Sequence, residues 1–222
     1  MNCRARRVME CFLPALAMAV ALLSAPPAAA LDGAPRATAR ELSPPATANE
    51  SLPPWETTEL SVETGLLWQV GSNTPLSYRL VPTQLSWRSR AFFAWELASG
   101  GHLLVRHRLG LLATWVQQGP ESHYLALHGS PSIELWNRTG TWALVGGAGG
   151  GFGLIDSRGV AGGQGQDFTL HWFGRVGVEH ATTQGLRFSA GVMFQHMSNG
   201  GQTNPNPGID ALGFTLGLSR AF

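Results

Sequence analysis

Residues 193–222 read MFQHMSNGGQTNPNPGIDALGFTLGLSRAF. Two apolar alternations flank a loop rich in Gly, Asn and Pro, the pattern of two antiparallel strands joined at one end. Backwards from Phe194, through Val192, Ala190, Phe188 and Leu186, every second residue is apolar; Leu212, Phe214, Leu216 and Leu218 repeat this on the return. His196 and Ser198 continue the first series, and Asp210 continues the second backwards. Three polar groups therefore occupy the phase that is otherwise oily.

The same period of two runs upstream. It predicts eight strand segments, at 60–70, 85–97, 103–115, 124–135, 142–154, 168–180, 186–196 and 211–222, each about ten residues or more and long enough to cross a bilayer when tilted. The connections alternate. Those near Ser99, Asn137 and Ala181 are tight, whereas 71–83, 117–122, 156–166 and 199–209 are longer, as in barrels with short turns on one rim and longer loops on the other. Within YRLVPTQLSWRSRAFF, residues 78–93, the second strand has more than one allowed register.

Periodicity alone does not separate a membrane barrel from a soluble sandwich or lipocalin-like barrel, because the two are inside-out versions of one pattern. Charge and tryptophan do. The face opposite the apolar one carries Glu63, Arg88, Arg90, Glu96, Arg106, Arg108, Glu134, Arg175, Glu179 and Arg187, opposite charges that can pair in a narrow lumen. The apolar face places Trp68, Trp87, Trp115 and Trp142 near strand ends, as an interfacial girdle requires. The expected fold is all-β, an eight-stranded antiparallel transmembrane β-barrel of the outer membrane. No stretch after residue 30 reads as a transmembrane helix, and a closed sheet is the remaining way for an exported oily chain to satisfy its backbone in lipid.

Residues 1–30 combine an arginine-bearing start, a short apolar run and small residues at Ala28 and Ala30. This predicts a cleaved signal peptide and a bacterial outer-membrane destination. Cys3 and Cys11, the two cysteines of the chain, leave with it, so no disulfide, thiolate nucleophile or thiolate metal ligand is expected. Residues 31–58 are rich in Ala, Pro and Thr without periodicity and read as a flexible leader; residues 59–222 form the barrel domain. With 44% hydrophobic and 13% charged residues among 222, and every one of its 15 basic residues an arginine, the chain shows no basic patch for nucleic acid. The aromatic end at Phe222 resembles the signal that barrel-assembly machinery reads.

If both strand ends of the 186–222 hairpin follow the predicted phase, His196, Ser198 and Asp210 gather on the outer wall at the long-loop rim, where paired Cβ atoms lie about 5 Å apart. A charge facing lipid costs roughly 2 to 4 kcal/mol at midplane and much less near the interface, which places Asp210 at the rim. A hydroxyl, an imidazole to take its proton and a carboxylate to orient the imidazole are the parts of a serine hydrolase. A His and Ser at i, i+2 beside a loop are also common as plain interfacial polar residues, and His107 and His180 occupy the outward phase with no such company.

HMSNGGQTNPNPGID, residues 196–210, resembles the signature of the PagL-type lipid A 3-O-deacylases, with supporting likeness from GGAGGGFGLIDS (146–157) to the C-terminus. The resemblance implies an eight-stranded outer-membrane barrel that hydrolyses the ester-linked chain at position 3 of lipid A, acting on lipopolysaccharide while embedded in the membrane. It implies His196 as base, Ser198 as nucleophile and Asp210 as the acidic third member. Asn199 and the backbone around Gly200 and Gly201 become the expected oxyanion donors, and Phe194, Leu212 and Phe214 the expected walls for the acyl chain. Better-known members carry glutamate where this chain has Asp210; aspartate is one methylene shorter, so either the hairpin closes tighter or the orienting bond weakens. No cofactor and no metal enter this scheme, and a homodimer stays open.

VGGAGGGFGLID does not meet dinucleotide-loop spacing and reads as a close-packed strand, with Asp156 at its end. His102, His123, His128 and His171 lack metal-ligand spacing and read as lumen or loop residues. Two other functions compete: a non-catalytic small barrel with a structural or surface-interaction role, and an acyltransferase.

Overall fold

The computed structural model describes residue 53 and residues 56–72 and 76–222. The expected signal peptide and most of the expected leader lie outside the described residues. The strands are β1 (Glu59–Gln69), β2 (Arg79–Arg88), β3 (Phe93–Glu96), β4 (His102–Gln118), β5 (His123–Trp136), β6 (Trp142–Ile155), β7 (Phe168–Ala181), β8 (Leu186–Ser198) and β9 (Ile209–Ala221). Chain neighbours pair antiparallel from β4 to β9, β9 pairs with β1, β1 with β2, and β2 with β4, which closes the sheet. Since β3 continues β2 along β4, the result is a closed eight-stranded barrel.

Two expectations about the strands change. The second strand begins at Arg79, inside the stretch expected as a loop, and breaks after Arg88. Its register puts Leu80, Gln84, Ser86 and Arg88 inside. Beyond Arg88 no residue of β1 remains to pair with, because β1 starts at Glu59 opposite Arg88. Residues 93–96 therefore lie against β4 alone, and Arg90 and Glu96 are exposed instead of lining the lumen. The β4–β5 connection, expected among the longer ones, is the four-position loop 119–122, because β4 runs for 17 residues and absorbs Gln117 and Gln118.

The alternation is inside-out relative to a soluble barrel. Leu109, Leu111, Leu127, Leu144, Phe152 and Leu216 are among the exposed apolar residues of the outer wall, while Glu59, Glu63, Arg88, Arg106, Arg108, Glu134, Glu179 and Arg187 are buried inside, as in a barrel whose exterior meets lipid. Trp68, Trp87 and Trp142 are exposed near strand ends, joined by Trp95 and Trp172. At the tight-turn end Glu59, fully buried, takes Arg106 and Arg187 as close ion-pair partners with Arg88 at 3.7 Å. Arg88 also binds Glu179 at 2.6 Å and Glu134 at 2.9 Å. One layer up, Glu63 pairs with Arg175 at 2.7 Å and with Arg108 at 3.4 Å. Thr57, at the end of the expected leader, is buried there too: its carbonyl accepts from Arg106 at 2.7 Å and its hydroxyl from Arg187 at 3.2 Å.

Towards the loop end the lumen turns apolar, filled by Leu67, Leu80, Leu112, Phe173, Met193, Met197 and Ile209, among others. Glycine allows the wall to close this tightly. A Cβ at Gly151 would stand 1.9 Å from the Leu127 carbonyl oxygen, and one at Gly213 2.0 Å from that of Leu66.

Candidate active site

The turn at 182–185 sets the β7–β8 register and the 199–208 loop sets that of β8–β9, so three strands bring their outward residues into rungs. On one rung Trp172, His196 and Asp210 stand side by side. His196 Nδ1 donates to Asp210 Oδ1 at 2.7 Å, with both side chains about a quarter exposed, 27% and 21%. The one-methylene-shorter acid thus reaches the imidazole directly. On its other side the ring lies near-parallel to the Trp172 indole, centroids 5.8 Å apart at 28°, and Trp172 in turn packs on Phe194 at 4.9 Å.

Ser198 ends β8 one rung further toward the loop, paired with Leu170. The intervening residues Gln195 and Met197 are fully buried inward, so His196 and Ser198 share the outward face. Among the described residues no hydrogen bond joins the Ser198 hydroxyl to the imidazole. Two positions along a strand separate their Cα atoms by about 6.6 Å, within the reach of a side-chain rotation. Gly208 approaches the ring from the loop, where a Cβ would sit 3.4 Å from His196 Cε1. The expected acyl-chain walls follow the same face below: Phe194 half-buried, Leu212 and Phe214 exposed.

The three expected oxyanion donors are in different states. Asn199 is fully buried, and its Nδ2 donates to the Gln164 carbonyl at 2.6 Å, the Thr203 carbonyl at 2.9 Å and hydroxyl at 3.0 Å, and the Pro205 carbonyl at 3.2 Å. Its backbone N–H donates to Asn206 Oδ1 at 3.0 Å. The Gly201 N–H donates to Asn199 Oδ1 at 2.8 Å. Asn199 is therefore the knot of its loop. Gly200 and Gly201 both have positive φ, 67° and 75°, a turn that glycine adopts without strain.

A second Ser/His/Asp group lies on the neighbouring loops. Ser122 Oγ donates to Asp156 at 2.5 Å and lies 2.8 Å from His123 Nδ1, and the backbone N–H groups of Ser122 and His123 donate to Asp156 at 2.9 and 3.0 Å. Here the serine hydrogen-bonds the carboxylate while the imidazole lies 3.6 Å from it, so the relay order of a hydrolase is missing. Burial opposes ionisation of Asp156, but the bonds from Ser122 and His123 outweigh it and hold its carboxyl below the usual range. It caps a loop. His128 and His171 lie inside the lumen, whereas His107 stacks outward on Phe92 and His180 packs at a tilt against Trp142.

Trp172 was not among the expected site residues. The signal was available: counting back through the 182–185 turn puts it opposite His196. Asn199 was expected to serve chemistry directly, and its engagement with a loop more than thirty residues away is not local information.

The family model described as lipid A 3-O-deacylase (PagL) matches residues 77–219. Similar solved structures include one described as the outer membrane enzyme PagL, at 22% identity and TM-score 0.49, covering 72% of this chain and 97% of that one. Another is Neisserial surface protein A, at 12% identity and TM-score 0.49, covering 74% and 97%. No curated protein sequence is similar enough to count as a match.

Proposed function

Because the chain belongs to the lipid A 3-O-deacylase (PagL) family, we propose that it is an outer-membrane esterase that removes the 3-O-linked acyl chain of lipid A, with Ser198, His196 and Asp210 as its catalytic residues on the lipid-facing wall. The observation that carries this reading is the His196–Asp210 hydrogen bond of 2.7 Å on the outward face, one rung from Ser198. A buried pair in a lumen would serve stability; one on the outer wall at the loop rim lies where the ester bonds of an outer-leaflet lipid run.

With Nδ1 directed at Asp210, Nε2 is left to take the Ser198 proton. Oγ attacks the ester carbonyl, the carbonyl π electrons move to oxygen, and collapse breaks the bond to the sugar 3-oxygen, which leaves with the proton from His196. Water then adds to the acyl-serine, giving its proton to the same imidazole and releasing fatty acid as Ser198 recovers its hydrogen. Closing the Oγ to Nε2 contact needs only side-chain rotation, and such bonds are commonly long before substrate binds. With the Asn199 amide and the Gly201 N–H already engaged by loop partners, the Gly200 N–H is the donor assigned to the oxyanion. Phe194, Leu212, Phe214 and Trp172 provide apolar surface for the chain. Insertion in the outer membrane follows export through the N-terminal signal and assembly of the barrel.

The test is Ser198→Ala. Membranes with the intact protein should contain lipid A lacking its 3-linked chain; membranes with the variant should contain the full complement, although the protein remains a heat-modifiable barrel. Equal lipid A in the two, with one acyl chain still missing, would assign the activity to another residue; intact lipid A in both would favour a non-catalytic barrel.

A further inference from the structure

We propose that Glu121 is a positioning residue for this reaction, holding the Ser198–Gly201 segment in place through a buried hydrogen-bond chain that ties together all four loops at the active-site end. The inference rests on the deacylase reading. Glu121 lies in the loop 119–122 and is 4% exposed. Its Oε2 accepts from the Tyr78 hydroxyl at 2.8 Å and its Oε1 from the Ser157 hydroxyl at 2.8 Å. Ser157 Oγ accepts the Gln164 N–H at 2.5 Å, the Gln164 carbonyl accepts Asn199 Nδ2 at 2.6 Å, and Asn199 Oδ1 accepts the Gly201 N–H at 2.8 Å.

Each donor from Gly201 onward thus points toward Glu121. A carboxylate can only accept, and with both oxygens occupied by hydroxyls it fixes which way each donates. Ser157, donating its hydroxyl hydrogen bond to Glu121, keeps its oxygen lone pairs for the Gln164 amide. Ser157, Gln164 and Asn199 are all fully buried, so water does not compete for these bonds. Tyr78 is kept a donor: burial first, then the Glu121 charge, push its hydroxyl well above its ordinary value.

Space supports the same reading. A Cβ at Gly163 would stand 2.3 Å from Ser157 Oγ and 2.9 Å from Glu121 Oε1, and one at Gly165 2.7 Å from the Pro205 carbonyl oxygen. The 156–167 loop is therefore pressed against both Glu121 and the 199–208 loop. The chain passes through Asn199, the residue after the nucleophile, and ends at the Gly201 N–H. Glu121 itself is buried, bonded to Tyr78 and Ser157.

The experiment compares steady-state lipid A deacylation by wild type, Ser198→Ala, Glu121→Ala, Glu121→Gln, Ser157→Ala and the Glu121/Ser157 double alanine variant, each checked for heat-modifiable migration. Losing a hydrogen bond to a buried charge should lower kcat about tenfold or more, with KM unchanged because the acyl-binding wall is untouched. Glu121→Gln, which keeps one acceptor oxygen, should recover part of kcat. The double variant should be no worse than the poorer single one, as expected for two links of one chain. Should Glu121→Ala not fold, Glu121→Gln and Ser157→Ala decide alone. Wild-type kcat in these variants, a change in KM only, or losses that multiply would overturn the positioning role while leaving the deacylase reading intact. A wild type without activity, or an active Ser198→Ala, would overturn that reading and this role with it.

Discussion

His196 and Asp210 are direct partners across β8 and β9, and their side chains meet on the outer wall with Nδ1 2.7 Å from Oδ1. A carboxylate in that position selects the tautomer with Nε2 unprotonated, the form the proposed Ser198 chemistry requires. Asp210→Asn keeps the shape but offers a donor or a neutral acceptor, so the imidazole loses both its orientation and its countercharge. The expected fall in kcat is about 10²- to 10⁴-fold, by analogy with other triads, with the barrel's thermal stability unchanged. Asp210→Glu, still a carboxylate, should fall less. Kinetics on detergent-dispersed lipid A check both; equal rates for wild type and Asp210→Asn would remove Asp210 from the mechanism.

Trp172 bounds the imidazole on the side opposite Asp210. Its packing against His196 and Phe194 is of a kind worth about 0.5–1.5 kcal/mol per ring pair. Trp172→Ala should therefore reduce kcat/KM about 2- to 10-fold, whereas Trp172→Phe should lose little. Measured on lipid A, unchanged kcat/KM in the alanine variant would reduce Trp172 to a lipid-facing girdle residue.

Glu59 is the centre of the lumen's charge layer, completely buried among Arg88, Arg106 and Arg187. Removing one partner of a buried ion pair leaves uncompensated charge and costs about 3–5 kcal/mol. Glu59→Ala should lower the urea midpoint of the folded barrel, read by loss of heat-modifiable migration, without changing kcat in the surviving fraction, since it lies at the opposite end from Ser198. An unaltered midpoint would mean that the arginines are balanced without it.

Much of this architecture was legible because a strand's period of two is a local property. Leu212, Phe214 and Leu216 set a phase that extrapolates to Asp210, and the same count through a four-residue turn leads from Trp172 to His196. Legibility failed where a residue's neighbour is decided by where another strand ends. Arg90 and Glu96 continue an alternation that reads as lumen, yet β1 stops at Glu59 and leaves them outside. Arg79 and Pro82 look like loop residues, yet β1 and β4 flank them on both sides, and the Pro82 carbonyl accepts the Thr64 hydroxyl at 3.1 Å. Asn199 carries the chemistry of an oxyanion donor, but its partners Gln164 and Thr203 are set by loop packing that no periodicity encodes.

In the proposed mechanism Ser198 transfers one acyl chain from lipid A to water. Incubating the purified protein with lipid A in ¹⁸O-labelled water and weighing both products tests it directly. The predicted result is lipid A lighter by its 3-linked chain and free fatty acid carrying one ¹⁸O, neither seen with Ser198→Ala. Unchanged lipid A, or an unlabelled chain found on another lipid, would contradict it.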